Sequence, residues 1–210
     1  MPGIFLAVDS QYEELTQAAA LYREANVYPY LQSRGFQIHP LYQRDAVEET
    51  VLAALALPGV TYLTGVGHGD SNIFTGYCNQ EVLQVGDYDP TLVSGKIIHL
   101  LSCSTAAALG PDLVANGCVA FFGYSAPFSY DPAVSDVFFE CDAQIDLALA
   151  DGLNAGAAGD RAKNLFSQRI ADFQAAGNYQ AAAYLQTNLQ CFRSPVPDTP
   201  RWGDPNAQLS

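Results

Sequence analysis

Two apolar, β-branched runs stop abruptly on a polar, reactive side chain, and that pattern leaves few folds open to this chain. Residues 60–70 (VTYLTGVGHGD) run into His68, and residues 96–105 (KIIHLLSCST) run into Cys103. Short, nearly continuous apolar runs read as buried strands. In a parallel α/β sheet, ligands and chemistry collect beyond the carboxyl ends of the strands. A histidine and a cysteine delivered there point to a thiol nucleophile and its proton partner.

The rest of the chain supports such a sheet, because apolar runs alternate with segments of helical period. Strands are expected at 3–8, 36–42, 60–66, 97–102 and 118–123, with Pro40 marking the second as an edge strand. Ser10 and Glu13 fit the S-x-x-E capping box, so one helix is expected from there to about Arg34, closed by Gly35. Further helices are expected at about 45–57, 105–116, 134–149, 160–177 and 179–189. In the third of these, Val134, Val137, Phe138, Cys141, Ile145 and Leu149 share one face. Residues 70–95 carry turn signals and no helical period; they read as a long functional loop with a hairpin near 80–88. The expected fold class is α/β, a three-layer α/β/α sandwich on a mainly parallel sheet. Residues 1–193 form its single domain and 194–210 an irregular, partly mobile tail.

Composition narrows the function. The 210 residues are 49% hydrophobic and 15% charged, enough for a full core. A net charge of −13 argues against nucleic acid and anionic membranes as partners, and favours a cationic or peptide substrate. Five scattered cysteines with no CxxC give neither a disulfide framework nor a zinc site. No D-x-D-x-D-G loop calls for calcium, so no cofactor or metal is expected. The start, MPGIFLAVDS, lacks the basic segment of a signal peptide, and a reducing cytoplasm is the expected compartment.

His68 lies in Gly65-Val66-Gly67-His68-Gly69, where glycines let another chain come close. Taken singly, His68 reads as a strand cap and Cys103 as a small buried hydrophobe. Taken together they gain weight, since adjacent strands lie about 4.8 Å apart and bring both ends within reach. The other histidines fit poorly. His99 is four residues before Cys103, so about 13 Å away along its strand, and His39 belongs to the edge strand. If the next helix begins at Ser104 or Thr105, its dipole also favours a thiolate at Cys103. Cys78 sits in the long loop as an oxidisable thiol.

A strand ending in His-Gly followed, 35 residues on, by a strand ending in Cys resembles the caspase–gingipain–legumain superfamily of cysteine peptidases. The bacterial gingipain-type and CHAT-type branches resemble it most. Residues 117–125 (GCVAFFGYS) are similar to the gingipain-type strand ending in Gly and Ser, and 162–166 (AKNLF) to a downstream helix. The resemblance covers about residues 3–175, without the caspase Q-A-C-R-G or the metacaspase D-S-C-H-S-G around Cys103. It implies a caspase-like fold and a peptidase, with Cys103 as nucleophile and His68 as general acid toward the leaving amine. The N–H groups of Gly69 and Cys103 are the implied oxyanion donors, Gly69 leaving room for the scissile carbonyl.

For specificity, Asp9 follows the first strand on the dyad's side of the sheet, where an acid would select a basic residue before the cut. Asp70 and Asp87 are loop alternatives, and Tyr124 and Ser125 offer backbone bonds to an extended peptide. Two rivals stand beside the peptidase. One is an inactive caspase-like module acting as an acidic interaction domain. The other is an esterase-type α/β enzyme, which lacks the G-x-S-x-G elbow.

Overall fold

The computed structural model describes residues 3–209; Met1, Pro2 and Ser210, the outermost residues of the expected domain and tail, lie outside the described residues. Among the described residues eight strands form: β1 (Ile4–Asp9), β2 (Gln37–Tyr42), β3 (Val60–Val66), β4 (Ile73–Thr75), β5 (Glu81–Gln84), β6 (Ile97–Leu101), β7 (Ala120–Tyr124) and β8 (Phe192–Arg193). Six of them make one sheet in the order β2-β1-β3-β6-β7-β8, parallel except for β8. Pro40 does sit on an edge strand, where its missing N–H costs no ladder bond. The hairpin in the long loop pairs β4 with β5.

Seven α-helices of the described residues cover the sheet: α1 (Glu14–Tyr22), α2 (Tyr28–Ser33), α3 (Glu48–Leu55), α4 (Leu109–Ala115), α5 (Ser135–Ala150), α6 (Ala155–Ala175) and α7 (Tyr179–Cys191). The side chains on the two faces of the sheet gather into separate clusters. One includes Tyr62, Leu101, Phe122, Phe138 and Phe166, the other Leu6, Leu63, Phe74, Ile98 and Phe121. The molecule is therefore an α/β/α sandwich. No helix among the described residues is long and apolar enough to cross a membrane.

The expected helix from Ser10 to Arg34 is two helices. α1 begins later, with Glu13 as N-cap accepting from the N–H groups of Leu15 and Thr16 while Thr16 Oγ1 accepts from Glu13 N–H. The reciprocal box is real but displaced by three residues, because Ser10 is buried at the end of β1. α1 and α2 are joined by a wide turn, Arg23–Val27, in which Tyr28 N–H reaches back five residues to Arg23 O. Pro29 explains it: a proline ring collides with the carbonyl four residues back and has no N–H to give it, so the turn opens.

The wide turn places Arg23 inside. Arg23 Nε lies 3.4 Å from Asp9 Oδ1 and 3.2 Å from Tyr28 Oη, whose O–H donates to Asp9 Oδ2. The expectation that Asp9 lines a specificity pocket is corrected by this. Asp9 is fully buried, and its carboxylate is occupied by Arg23 and Tyr28. Burial raises its carboxyl pKa against the pull of Arg23 and Tyr28.

A second buried group sits beside it. Both ring nitrogens of His99 face carboxylates, Nδ1 at 3.0 Å from Asp146 and Nε2 at 3.2 Å from Asp142. Tyr62 and Tyr124 donate to the same two aspartates at 2.6 and 2.8 Å. Two acceptors require two N–H groups, so His99 is an imidazolium. Burial alone would lower its pKa; Asp142 and Asp146 outweigh that and raise it to about 9. Tyr124 is thus an interior side chain. Its backbone pairs with Phe192 of β8, and Ser125 N–H and Oγ both bond Cys191 O. The reading of Tyr124 and Ser125 as docking positions for a peptide strand is therefore corrected, because the chain's own β8 occupies that edge.

The tail is irregular but anchored. Trp202 Nε1 donates to Ala106 O at 3.0 Å, Asp204 N–H to Val119 O at 2.8 Å, and Gly203 bridges Ala120. The partial mobility expected for it gives way to these contacts.

His99 has a stated consequence for stability. With an unfolded value of 6.5 against about 9 in the fold, its contribution is complete below pH 6.5. From there to about 9 the unfolded chain sheds its proton first, so the contribution shrinks and then disappears. Replacing His99→Gln strands two buried carboxylates and is expected to cost about 3 kcal/mol or more at pH 6. Urea unfolding from pH 6 to 9.5 should show a falling stability in the wild type and a flatter one in the variant; equal slopes would refute the imidazolium.

Candidate active site

The parallel register fixes where the loops emerge. Asp9 of β1 lies opposite Val66 of β3, and Val66 opposite Leu101 of β6. Three chain segments therefore leave the sheet side by side, carrying Glu13, His68 and Cys103. His68 and Cys103 are each two residues beyond that row, so strand alternation sends both side chains to the α1/α5 face. Both line one narrow cleft with Leu15, Ala19, Val66, Leu101, Phe128 and Phe139.

His68 is held from two sides. Its carbonyl accepts from Thr75 N–H at 2.9 Å and Thr75 Oγ1 at 3.1 Å, tying its backbone to β4. Its Nε2 lies 3.3 Å from Glu13 Oε1, the N-cap of α1. Slight burial opposes ionisation of Glu13, but the Thr16 and Leu15 N–H groups and His68 overcome it and lower its pKa. Nδ1 of His68 has no hydrogen bond among the described residues. Glu13 escaped the sequence reading because a cap residue is recognised locally, whereas its reach to His68 exists only once β1 and β3 are neighbours.

The glycines flanking His68 serve the hairpin. A Cβ on Gly67 would collide with Thr75 O, and one on Gly65 would lie 2.9 Å from Phe74 Cζ. The chain that comes close is the protein's own β4. Gly69 does not open space for a carbonyl as expected: a Cβ there would strike Ser102 Oγ and lie 2.6 Å from Ile73 O. Its N–H is nonetheless available. Asp70 N–H bonds Ile73 O and Thr75 N–H bonds His68 O, so Gly69 and Phe74 form a non-hydrogen-bonded pair whose N–H points away from β4.

Cys103 is half-buried. Ser104 turns sharply after it in the left-handed region (φ 61°), its N–H bonded to Ala126 O at 3.2 Å. The chain then passes through a turn, and α4 begins only at Leu109. The helix start expected at Ser104 or Thr105, beneath the sulfur, is absent, and with it the dipole argument for the thiolate. Cys118, Cys141 and Cys191 are buried, and burial raises their thiol pKa values. Cys78 is exposed.

Asp70 begins the hairpin, its Oδ1 accepting from Asn72 and Ile73 N–H at 2.7 and 3.1 Å. With His68, Gly69, Thr75, Asn79 and Glu81 it lines an open groove on the hairpin side of His68. Asp87 is exposed near the end of the hairpin, and its N–H bonds Gln84 O at 3.0 Å.

Sheet order, crossover helices and strand-end cleft together define a caspase-like α/β/α sandwich. Among solved structures the chain is similar to the complex of Porphyromonas gingivalis RgpB pro- and mature domains, with a TM-score of 0.59 and 12% identity. The match covers 99% of this chain and 48% of that one, so the chain spans about half its neighbour's length. At this identity the likeness is one of fold. No protein-family model matches the sequence, and no curated protein does.

The glycine contacts lead to a direct test. Gly67→Ala sets a methyl group against a backbone oxygen that cannot rotate away, and the hairpin must shift. Overpacking of this kind costs about 1–3 kcal/mol. Chemical denaturation should show that loss, and hydrogen exchange should show faster exchange at Thr75 N–H, which is bonded to His68 O.

Proposed function

We propose that this chain is a cysteine hydrolase acting on peptide bonds, with Cys103 as nucleophile and His68 as its acid–base partner. The register of β3 and β6 is the supporting observation: it sends one imidazole and one thiol, from adjacent strand ends, into the same cleft. The resemblance to gingipain-type peptidases and the shared fold point the same way.

In this reading the thiol proton passes to His68 Nδ1, and the sulfur attacks the scissile carbonyl. Glu13 holds the Nε2 side and stabilises the imidazolium that forms. The N–H groups of Gly69 and Cys103 meet the oxyanion. Collapse of the intermediate expels the amine, which takes the proton from His68 and leaves a thioester on Cys103. Water, deprotonated by His68, then attacks the thioester; acid and regenerated thiol are released.

Cys103→Ala should abolish turnover of fluorogenic peptides, and His68→Ala should reduce kcat by about 10²–10⁴-fold, the usual worth of a positioned acid–base group. Glu13→Gln keeps an acceptor for the helix cap while removing the charge, and should lower kcat by about 10-fold with KM little changed. Turnover that persists in Cys103→Ala would defeat Cys103 as the nucleophile, and a wild type with no turnover on any peptide would leave the interaction module as the better reading.

A further inference from the structure

The cleft that joins His68 to Cys103 also continues away from them, between α1 and α5 along the face of the sheet. Its walls are Leu15 and Ala19 from α1, Val66 and Leu101 from the strands, and Phe128 and Phe139 opposite. It encloses about 30 Å³, room for one or two waters. Apart from His68 and Cys103 themselves, no titratable side chain lines it. Of the two hydroxyls in its wall, that of Thr16 is spent on the α1 cap, accepting from Tyr12 and Glu13 N–H and donating to Glu13 O, and that of Ser102 is buried and uncharged with no hydrogen-bond partner among the described residues. Glu13, the acid at the rim, is engaged by the Leu15 and Thr16 N–H groups and by His68 Nε2, and Asp9 is sealed against Arg23 and Tyr28.

We infer that this cleft is the pocket for the substrate side chain on the acyl side of the scissile bond, and that it selects a small aliphatic residue such as alanine or valine. The inference rests on the hydrolase reading above. An arginine, lysine or aspartate entering here would surrender its hydration among uncharged walls, with Glu13 and His68 at the rim already paired with each other, and a buried ion without its own partner is costly. A phenylalanine exceeds the space, and Phe139 and Leu101 are packed in the core beneath it. A methyl or isopropyl group fits and replaces one or two waters. Each buried methylene favours binding by about fourfold, so glycine, alanine and valine should rank in rising order.

The test uses a set of peptidyl acyloxymethyl ketones that differ only at the residue before the warhead: glycine, alanine, valine, phenylalanine, arginine and aspartate. Adduct formation on Cys103 is followed by mass spectrometry. Alkylation of Cys103 by iodoacetamide, in wild type and His68→Ala, runs in parallel and reports the thiol–imidazole pair without filling the pocket. Alanine and valine probes are expected to label at least 10-fold faster than phenylalanine, arginine or aspartate. Ala19→Leu, which fills the cleft, should abolish the valine preference and retain glycine labelling. Phe128→Ala, which widens it, should admit the phenylalanine probe, and it supplies the answer if Ala19→Leu does not fold. Iodoacetamide alkylation that depends on His68, with the arginine or aspartate probe fastest, overturns the pocket assignment while leaving the hydrolase reading in place. Alkylation indifferent to His68 and no labelling by any ketone overturns both.

Discussion

Three carboxylates and two cations share the interior between the sheet and α5, and the placement of the cleft depends on how they are reconciled. Asp9, Asp142 and Asp146 face Arg23 and His99, all of them buried. Burial raises the pKa of Asp9 against the pull of Arg23 and Tyr28, and the five side chains form one buried polar group. Such a group adds little net stability compared with a well-packed apolar core, but it accepts only one arrangement of its parts. Helix α5 supplies two of the acids, β6 the imidazole, β1 the third acid and the wide turn the guanidinium. Helix α5 is thereby locked against the strands in a single register. Phe139, on the same helix, forms one wall of the cleft at Cys103.

Much of the frame was legible in the sequence, for physical reasons that can be named. The runs at 60–66 and 97–101 are largely apolar because both faces of those strands are covered, and their nearly continuous hydrophobicity is a local signal. Pro40 declared an edge. The helix face containing Phe138, Cys141, Ile145 and Leu149 is buried as its spacing requires. What the pattern concealed lies beside that stripe. Asp142 and Asp146 are each one residue along from a buried apolar side chain, and four apart from each other. Nothing local separates such a pair from two solvated acids, because their partner His99 is more than forty positions away.

The candidate site divides in the same way. His68 and Cys103 could be found because strand termini are visible in sequence and because neighbouring strands deliver their ends together. Asp9 misled, since an acid after a strand looks identical whether it faces a cleft or a buried arginine. Which of the two applies was decided by Pro29, twenty residues on, through the turn that carries Arg23 inward. Tyr124 and Ser125 misled because the segment covering β7 comes from near the far end of the chain.

That covering segment has a consequence for solubility. A parallel sheet needs both margins guarded, or its unpaired amides and carbonyls become a template for another copy. On one margin β2 carries Pro40, which interrupts any ladder a neighbour could build. On the other, β8 pairs with Gly123 and Tyr124, and Gly203 meets Ala120. The last stretch of the chain thus works as a selvedge. Nicking by a protease between Cys191 and Gly203 would leave the cleft's residues untouched, yet bare a strip of β7 as sticky as the start of a fibril.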